Sequence, residues 1–249
     1  MLTLEICAGS AVSALRAEKG GAHLIELCEN LPVGGTTPSI KLLQEVMASA
    51  KIRTHVLIRP RAGDFVYSNR EIDEMISSIE SVKNAGCSGV VIGALDRCGN
   101  LDEDAIKTLI MAADGLSLTF HRAIDVAAEP LKQIKKLIDL GFDYVLTSGQ
   151  QPTAVAGIPM LKTMYEQFGN LIRIIAGGGV NSTNIQHIAM ETKILQFHGS
   201  ARKLASREAL LPALQFGITG NQVVPVINED TDLDEVKRLS GFCSSTNSF

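Results

Sequence analysis

The feature that most constrains the fold is a regular alternation along the chain. Short apolar runs that are typical of buried parallel strands are separated by longer segments with helical spacing. The runs occur without a linker or a change of composition between them. The sequence predicts eight strands, at Leu2–Cys7, Leu24–Cys28, Thr54–Ile58, Gly89–Ile92, Ser117–His121, Tyr144–Thr147, Arg173–Ala176 and Leu195–His198.

The segments between these runs are predicted to be helices. In one of them, apolar residues from Ile72 to Val82 recur at spacings of three and four and form a single stripe. Asn69 lies where a helix cap belongs, Pro130 is a first-turn proline, and Gly86 follows a helix. The helices are expected at Ala11–Lys19, Ser39–Ser49, Arg70–Ala85, Asp102–Ala112, Pro130–Leu140, Ile158–Phe168 and Thr183–Met190.

Eight such units favour a single-domain α/β fold, a (β/α)8 barrel of the TIM type, with an open doubly wound sheet as the alternative. The barrel is expected to occupy residues 1–205, and residues 206–249 a short C-terminal extension that packs on it. Within the extension, residues 221–239 are expected to add one strand and a helix at Asp232–Leu239. The polar tail Ser240–Phe249 is expected to be disordered at its end.

Charge and composition exclude several classes of partner. The formal net charge of −4 provides no basic surface for nucleic acid. No apolar run approaches the roughly 20 residues that span a bilayer. The N-terminal residues lack the basic and apolar regions of a signal peptide and resemble a strand. A cytoplasmic location is therefore expected, with neither nucleic acid nor membrane as a partner.

The most suggestive internal pattern is a doublet on the first two strands. The first contains Glu5 and Cys7 and the second contains Glu26 and Cys28, with one apolar residue inside each pair. Side chains alternate along a strand, so both carboxylates and both thiols are expected to point into the barrel. Neighbouring strands lie about 4.8 Å apart, and two adjacent thiolates suit a soft ion such as Cu(I). The alternative is that the cysteines are inert core residues.

Basic and polar residues collect where several strands end, and barrel enzymes place their sites at that face. Gly177, Gly178 and Gly179 follow the seventh strand, where backbone N–H groups can hold a phosphate or carboxylate. The alternatives are an ion-pair network that fills a polar lumen and a plain tight turn. The other candidate ligand-binding residues are Arg59, Arg61, Arg122, His198, Ser200 and Arg202, and His121 joins Glu5 and Glu26 as a candidate acid or base.

The chain resembles the CutC family, named for copper homeostasis. The resemblance implies a TIM-type barrel, a cytoplasmic location, assembly into homodimers or homotetramers, and Cu(I) binding through two cysteines that correspond to Cys7 and Cys28. Gly199 stands where some members have another cysteine, and the stretch after Arg202 departs from the pattern. The matching phrases are IELC at 25–28, GGTTPS at 34–39, IRPRAGDFVYS at 58–68, LTFHRAID at 118–125, VLTSG at 145–149, AGGGV at 176–180 and FHGSAR at 197–202.

Two hypotheses for the function follow. In the first, the chain is a cytoplasmic copper-handling protein whose cofactor or cargo is Cu(I). In the second, it is an enzyme or a binding protein for a small anionic metabolite, phosphorylated or carboxylated, which the arginine, histidine and glutamate residues at the strand ends would hold. The second hypothesis gives these polar residues a task that a two-thiolate copper site does not need.

Overall fold

The structure is a computed structural model that describes residues 2–202 and 230–245. Within these residues the strands run parallel and form a closed barrel in chain order, with the last strand paired to the first. The strands are β1 (Thr3–Ala8), β2 (Leu24–Leu27), β3 (Arg53–Leu57), β4 (Gly89–Ile92), β5 (Ser117–Phe120), β6 (Tyr144–Thr147), β7 (Arg173–Ala176) and β8 (Gln196–Gly199).

Helices follow the strands and cover the outside of the barrel. They are α1 (Ala11–Lys19), α2 (Ile40–Ser49), α3 (Asn69–Asn84), α4 (Glu103–Ala112), α5 (Pro130–Asp139), α6 (Ile158–Phe168), α7 (Ile185–Thr192) and α8 (Leu233–Ser245), with short 3₁₀ helices at Leu31–Val33 and Arg122–Val126. The prediction of a (β/α)8 barrel is confirmed, and the closed order of strands excludes the open sheet.

Two apolar layers hold the barrel together. The larger one lies between strands and helices and includes Ile6, Ile25 and Leu27, the strand residues that alternate with the inward-facing set. A small cluster inside the barrel contains Cys7, Cys28, Leu57 and Val91, with Leu31 packed against it. The strand alternation therefore directs the two thiols into the lumen.

The C-terminal helix is longer than the sequence predicts. It was expected at Asp232–Leu239, but α8 continues to Ser245 because Cys243 is buried and the Ser240 hydroxyl donates a hydrogen bond to the Gly20 carbonyl oxygen. The helix packs against α1 and β1. The strand expected within residues 221–239 falls largely outside the described residues.

None of the helices in the described part of the chain is both long enough and apolar enough to cross a membrane.

Candidate functional site

A cavity of about 560 Å³ opens at the C-terminal ends of the strands. Its volume falls within the range of small-molecule sites in proteins. Residues that are far apart in the sequence line it, because each strand delivers the residue at its end to the same face of the barrel. Among them are Cys7 and Glu26 from β1 and β2, Arg59 after β3, His121 and Arg122 after β5, and His198 from β8.

The two thiols of the doublet meet inside the lumen. The Sγ atoms of Cys7 and Cys28 are 3.3 Å apart, and both residues are buried. Gly35 covers the pair with a left-handed backbone (φ +86), and a Cβ there would lie 3.5 Å from the Cys28 Sγ and 2.8 Å from Leu57. A glycine at this position therefore lets the loop lie close above the sulfur atoms.

A carboxylate and an imidazole stand beside Cys7. The register of β1 with β2 sets Cys7 opposite Glu26, whose Oε1 atom is 4.0 Å from the Cys7 Sγ. One donor atom each from Cys7, Glu26 and His198 lie within 4.8 Å of one another, the spacing of a metal-ligand set. From the sequence alone, Glu26 is expected to act as an acid or base and His198 to bind a ligand, so neither is expected as a metal ligand.

Burial and the mutual contacts of Cys7, Glu26 and His198 shift the pKa values of all three groups. The hydrogen bond with Cys28, together with burial, raises the pKa of Cys7 well above its usual value. Burial raises the pKa of Glu26 to about 7, although the charge of His198 opposes the change. Burial acts to lower the pKa of His198, but Glu26, Cys7 and Glu5 outweigh it and raise this pKa well above its usual value. A cationic imidazole thus faces a protonated thiol.

Glu5 lies deeper than the mouth cavity. Its Oε1 atom is 3.7 Å from the His198 Nδ1 atom, and it lines a second cavity of about 220 Å³ at the N-terminal ends of the strands, next to Arg53 and His55. Burial acts to raise the pKa of Glu5, but the nearby polar and charged imidazole of His198 outweighs it, so this pKa is lowered. Glu5 therefore stabilises the cationic form of His198 from the N-terminal side of the lumen.

Arg59 is a buried cation, 6 % exposed, that contacts the loop containing Gly35. Its Nη1 atom donates to the carbonyl oxygens of Val33 and Gly35 at 3.0 and 2.9 Å, and its Nη2 atom donates to that of Gly63 at 2.8 Å. Its guanidinium also lies over the Phe65 ring, 5.0 Å from the centroid. Arg59 thus ties down the loop that covers Cys28.

His121 also packs against this aromatic ring, with its centroid 4.8 Å from that of Phe65. Its Nδ1 atom accepts a hydrogen bond of 3.1 Å from the Ala123 N–H group. Burial, reinforced by the positive charge of Arg59, lowers the pKa of His121 to about 3. The imidazole is therefore neutral at physiological pH, and because Nδ1 is an acceptor, the hydrogen resides on Nε2.

Arg122 is held by a buried carboxylate. Its Nε atom donates to Asp125 at 2.7 Å and its Nη2 atom to the Ser148 hydroxyl at 2.7 Å. Asp125 also accepts from the hydroxyl of Thr147 and from the backbone N–H groups of Ser148 and Gln150. Phe65, Asp125 and Ser148 belong to this candidate site and were not among the predicted site residues, although the phrases IRPRAGDFVYS, LTFHRAID and VLTSG contain them.

The remaining predicted residues divide between the cavity and its surroundings. Gly178, Gly179, Ser200 and Arg202 line the cavity. Gly177 packs against Leu146, where a Cβ would approach the side chain to 2.5 Å. Arg61 lies outside the cavity, because the chain turns away after β3 and the guanidinium pairs with Asp64 and Glu71.

Comparison with known proteins agrees with this architecture. The family model of the CutC family matches residues 2–203. A CutC family protein of Bacteroides fragilis is 47 % identical over 202 residues, 80 % of each chain. The human copper homeostasis protein cutC homolog is 43 % identical over 199 residues, 80 % of this chain and 73 % of its own length.

Solved structures show the same fold. The crystal structure of the copper homeostasis protein CutC from Streptococcus agalactiae superposes with a TM-score of 0.76 at 36 % identity, covering 80 % of this chain and 99 % of that one. Phosphoribosylanthranilate isomerase from Pyrococcus furiosus, at 12 % identity, a TM-score of 0.61 and coverage of 98 % and 99 %, shares the barrel alone. The match of the family model and the identity with its members show that this chain belongs to the CutC family.

Proposed function

We propose that this protein takes part in copper homeostasis by binding Cu(I) between Cys7 and Cys28 at the barrel mouth. The observation that carries the proposal is the pair of sulfur atoms 3.3 Å apart inside the lumen. Thiolates are soft ligands that select Cu(I) over harder cations. The human relative is named for copper homeostasis, which agrees with this choice of metal.

The surroundings of the thiols suit such an ion. Two thiolates and Cu(I) together carry one negative charge, and the cationic His198 imidazole beside Cys7 offsets it in the low-dielectric lumen. Leu31, Leu57 and Val91 pack around the sulfurs and give the site an apolar wall. Two free thiols this close persist in a reducing compartment, which agrees with the cytoplasmic location that we propose for the protein.

The test is an anaerobic titration with Cu(I) in competition with a chelator of known affinity. The double variant Cys7→Ser/Cys28→Ser is expected to bind at least about a hundredfold more weakly, because it loses both soft ligands. Cys98→Ser is the matched control, since Cys98 is exposed in a loop, and it should retain the affinity of the wild type. Equal stoichiometry and affinity in the double variant, with an unchanged circular dichroism spectrum, would refute the proposal.

The same titration is expected to depend on pH. The hydrogen bond with Cys28 and the burial of Cys7 raise the pKa of Cys7 well above its usual value, so its thiol is protonated at neutral pH. Cu(I) must displace this proton, and the affinity should rise with pH by up to about tenfold per unit for each proton released. Repeating the competition between about pH 6 and about pH 8 measures the slope. An affinity independent of pH would mean that the Cys7 thiol is already ionised in the free protein.

A further inference from the structure

Arg59 and His121, which line the mouth cavity, each have a buried nitrogen donor without a partner among the described residues. Neither the Nε atom of Arg59 nor the Nε2 atom of His121 makes a hydrogen bond within the part of the chain that the structure describes. Copper binding by Cys7 and Cys28 uses neither of them. We propose that the cavity has a second ligand, a small metabolite whose carboxylate or phosphate group is bound by Arg59, His121 and Arg122.

Arg59 is the first reason for an anionic ligand. Burying a cation is costly unless it is paired, and the hydrogen-bond partners of Arg59 are the neutral carbonyl oxygens of Val33, Gly35 and Gly63. The nearby Tyr67 hydroxyl does not supply a charge, because burial raises the pKa of Tyr67 to about 12. No carboxylate lies within ion-pair distance of Arg59 among residues 2–202 and 230–245. An oxyanion in the cavity would supply the missing counter-charge.

His121 is the second reason. The side chain is 5 % exposed, and its position is fixed by the Ala123 N–H group and by the Phe65 ring. Its remaining nitrogen is an N–H donor on a neutral ring that lines the cavity. A buried donor of this kind is stabilised by an acceptor oxygen, and the cost of leaving it unpaired is removed when a ligand provides one.

Arg122 completes the site from the neighbouring loop. Asp125 and Ser148 engage its Nε and Nη2 atoms, which leaves the Nη1 atom beside Gly178. Gly178 has a left-handed backbone (φ +98), and a Cβ there would lie 3.6 Å from the Arg122 Nη1 atom. Within the described residues the N–H groups of Gly178 and Gly179 donate no hydrogen bond. An oxyanion between the guanidinium and these N–H groups would satisfy both.

The cavity has room for more than an inorganic ion. Its volume of about 560 Å³ accommodates a small organic molecule, and Phe65 and Leu146 give it apolar wall area. The ligand class is therefore a short-chain metabolite with at least one carboxylate or phosphate group. Inorganic phosphate and malonate represent the two oxyanions separately.

Isothermal titration calorimetry on the full-length protein at constant ionic strength, with chloride as the balancing anion, tests the proposal. His121→Asn retains an acceptor for the Ala123 N–H group, as asparagine does at helix caps, but removes the Nε2 donor. Arg122→Gln removes a guanidinium that is 43 % exposed, while its amide can still donate a hydrogen bond to Asp125. Each variant is expected to bind phosphate or malonate at least about tenfold more weakly than the wild type.

Two controls separate this site from other effects. Arg70→Gln removes the same charge from the exposed surface of α3 and should leave binding unchanged. Cys7→Ser/Cys28→Ser should also retain the binding of phosphate or malonate. The anion site is thereby tested independently of the copper site. The proposal is overturned if neither probe binds the wild type at millimolar concentration, or if all variants bind equally.

Discussion

Replacing Asp125 with alanine is expected to lower the free energy of unfolding by about 3–5 kcal/mol. The carboxylate is buried, and it accepts hydrogen bonds from Thr147, Ser148 and Gln150 while it pairs with Arg122. Removing it leaves buried N–H and O–H donors without acceptors and one guanidinium without its counter-ion. Urea denaturation followed by circular dichroism measures the difference.

Asp125→Asn is the matched variant for this prediction. The amide keeps the shape and one acceptor oxygen, so it should lose less stability than Asp125→Ala while still weakening the hold on Arg122. If the free energy of unfolding of Asp125→Ala lies within about 1 kcal/mol of the wild-type value, then the stability of the loops after β5 and β6 does not depend on this carboxylate.

Replacing Gly157 with alanine is expected to cost about 3 kcal/mol or more. Gly157 precedes α6, and an added Cβ would lie 1.8 Å from the carbonyl oxygen of Ser148 and 3.1 Å from the Gly149 Cα. Both contacts are with backbone, which cannot swing aside as a side chain can. The loop that carries Ser148 would be displaced, and with it the residue that holds Arg122. Denaturation measures the loss of stability.

Gly241→Ala provides the comparison, because Gly241 lies within α8 with nothing near its missing Cβ. Alanine there should leave stability unchanged or raise it by up to about 1 kcal/mol. If both substitutions change the free energy of unfolding by similar amounts, then the close approach of Gly157 to the Ser148 loop does not limit the residue at position 157.

The fold could be predicted from the sequence because it depends on local patterns. Each strand of the barrel falls within two residues of the predicted run, as for β1, found at Thr3–Ala8 and predicted at Leu2–Cys7. Alternation also predicts that Cys7 and Cys28 face the lumen, since it holds wherever the backbone is extended. The length of α8 could not be predicted, because it depends on the contact of Ser240 with Gly20.

The residues that line the mouth cavity were harder to predict, because side chains no longer alternate between the two faces once a strand has ended. Arg59 and Arg61 are two residues apart, yet only Arg59 lines the cavity, while Arg61 pairs with Glu71 at the start of α3. Similarly, no spacing rule indicates that Asp125 would receive its hydrogen bonds from the loop after β6. These pairings arise from loop geometry, which depends on the packing of the whole barrel.

The closure of the barrel has a kinetic consequence for the thiol cluster. Cys7 lies on the first strand and His198 on the last, and β1 pairs with β8 with Glu5 opposite His198. Contacts between such distant parts of a chain form late, because closing a long loop costs entropy before the contact repays it. The cluster therefore assembles at the seam of the barrel, and the appearance of metal affinity during refolding would report when that seam closes.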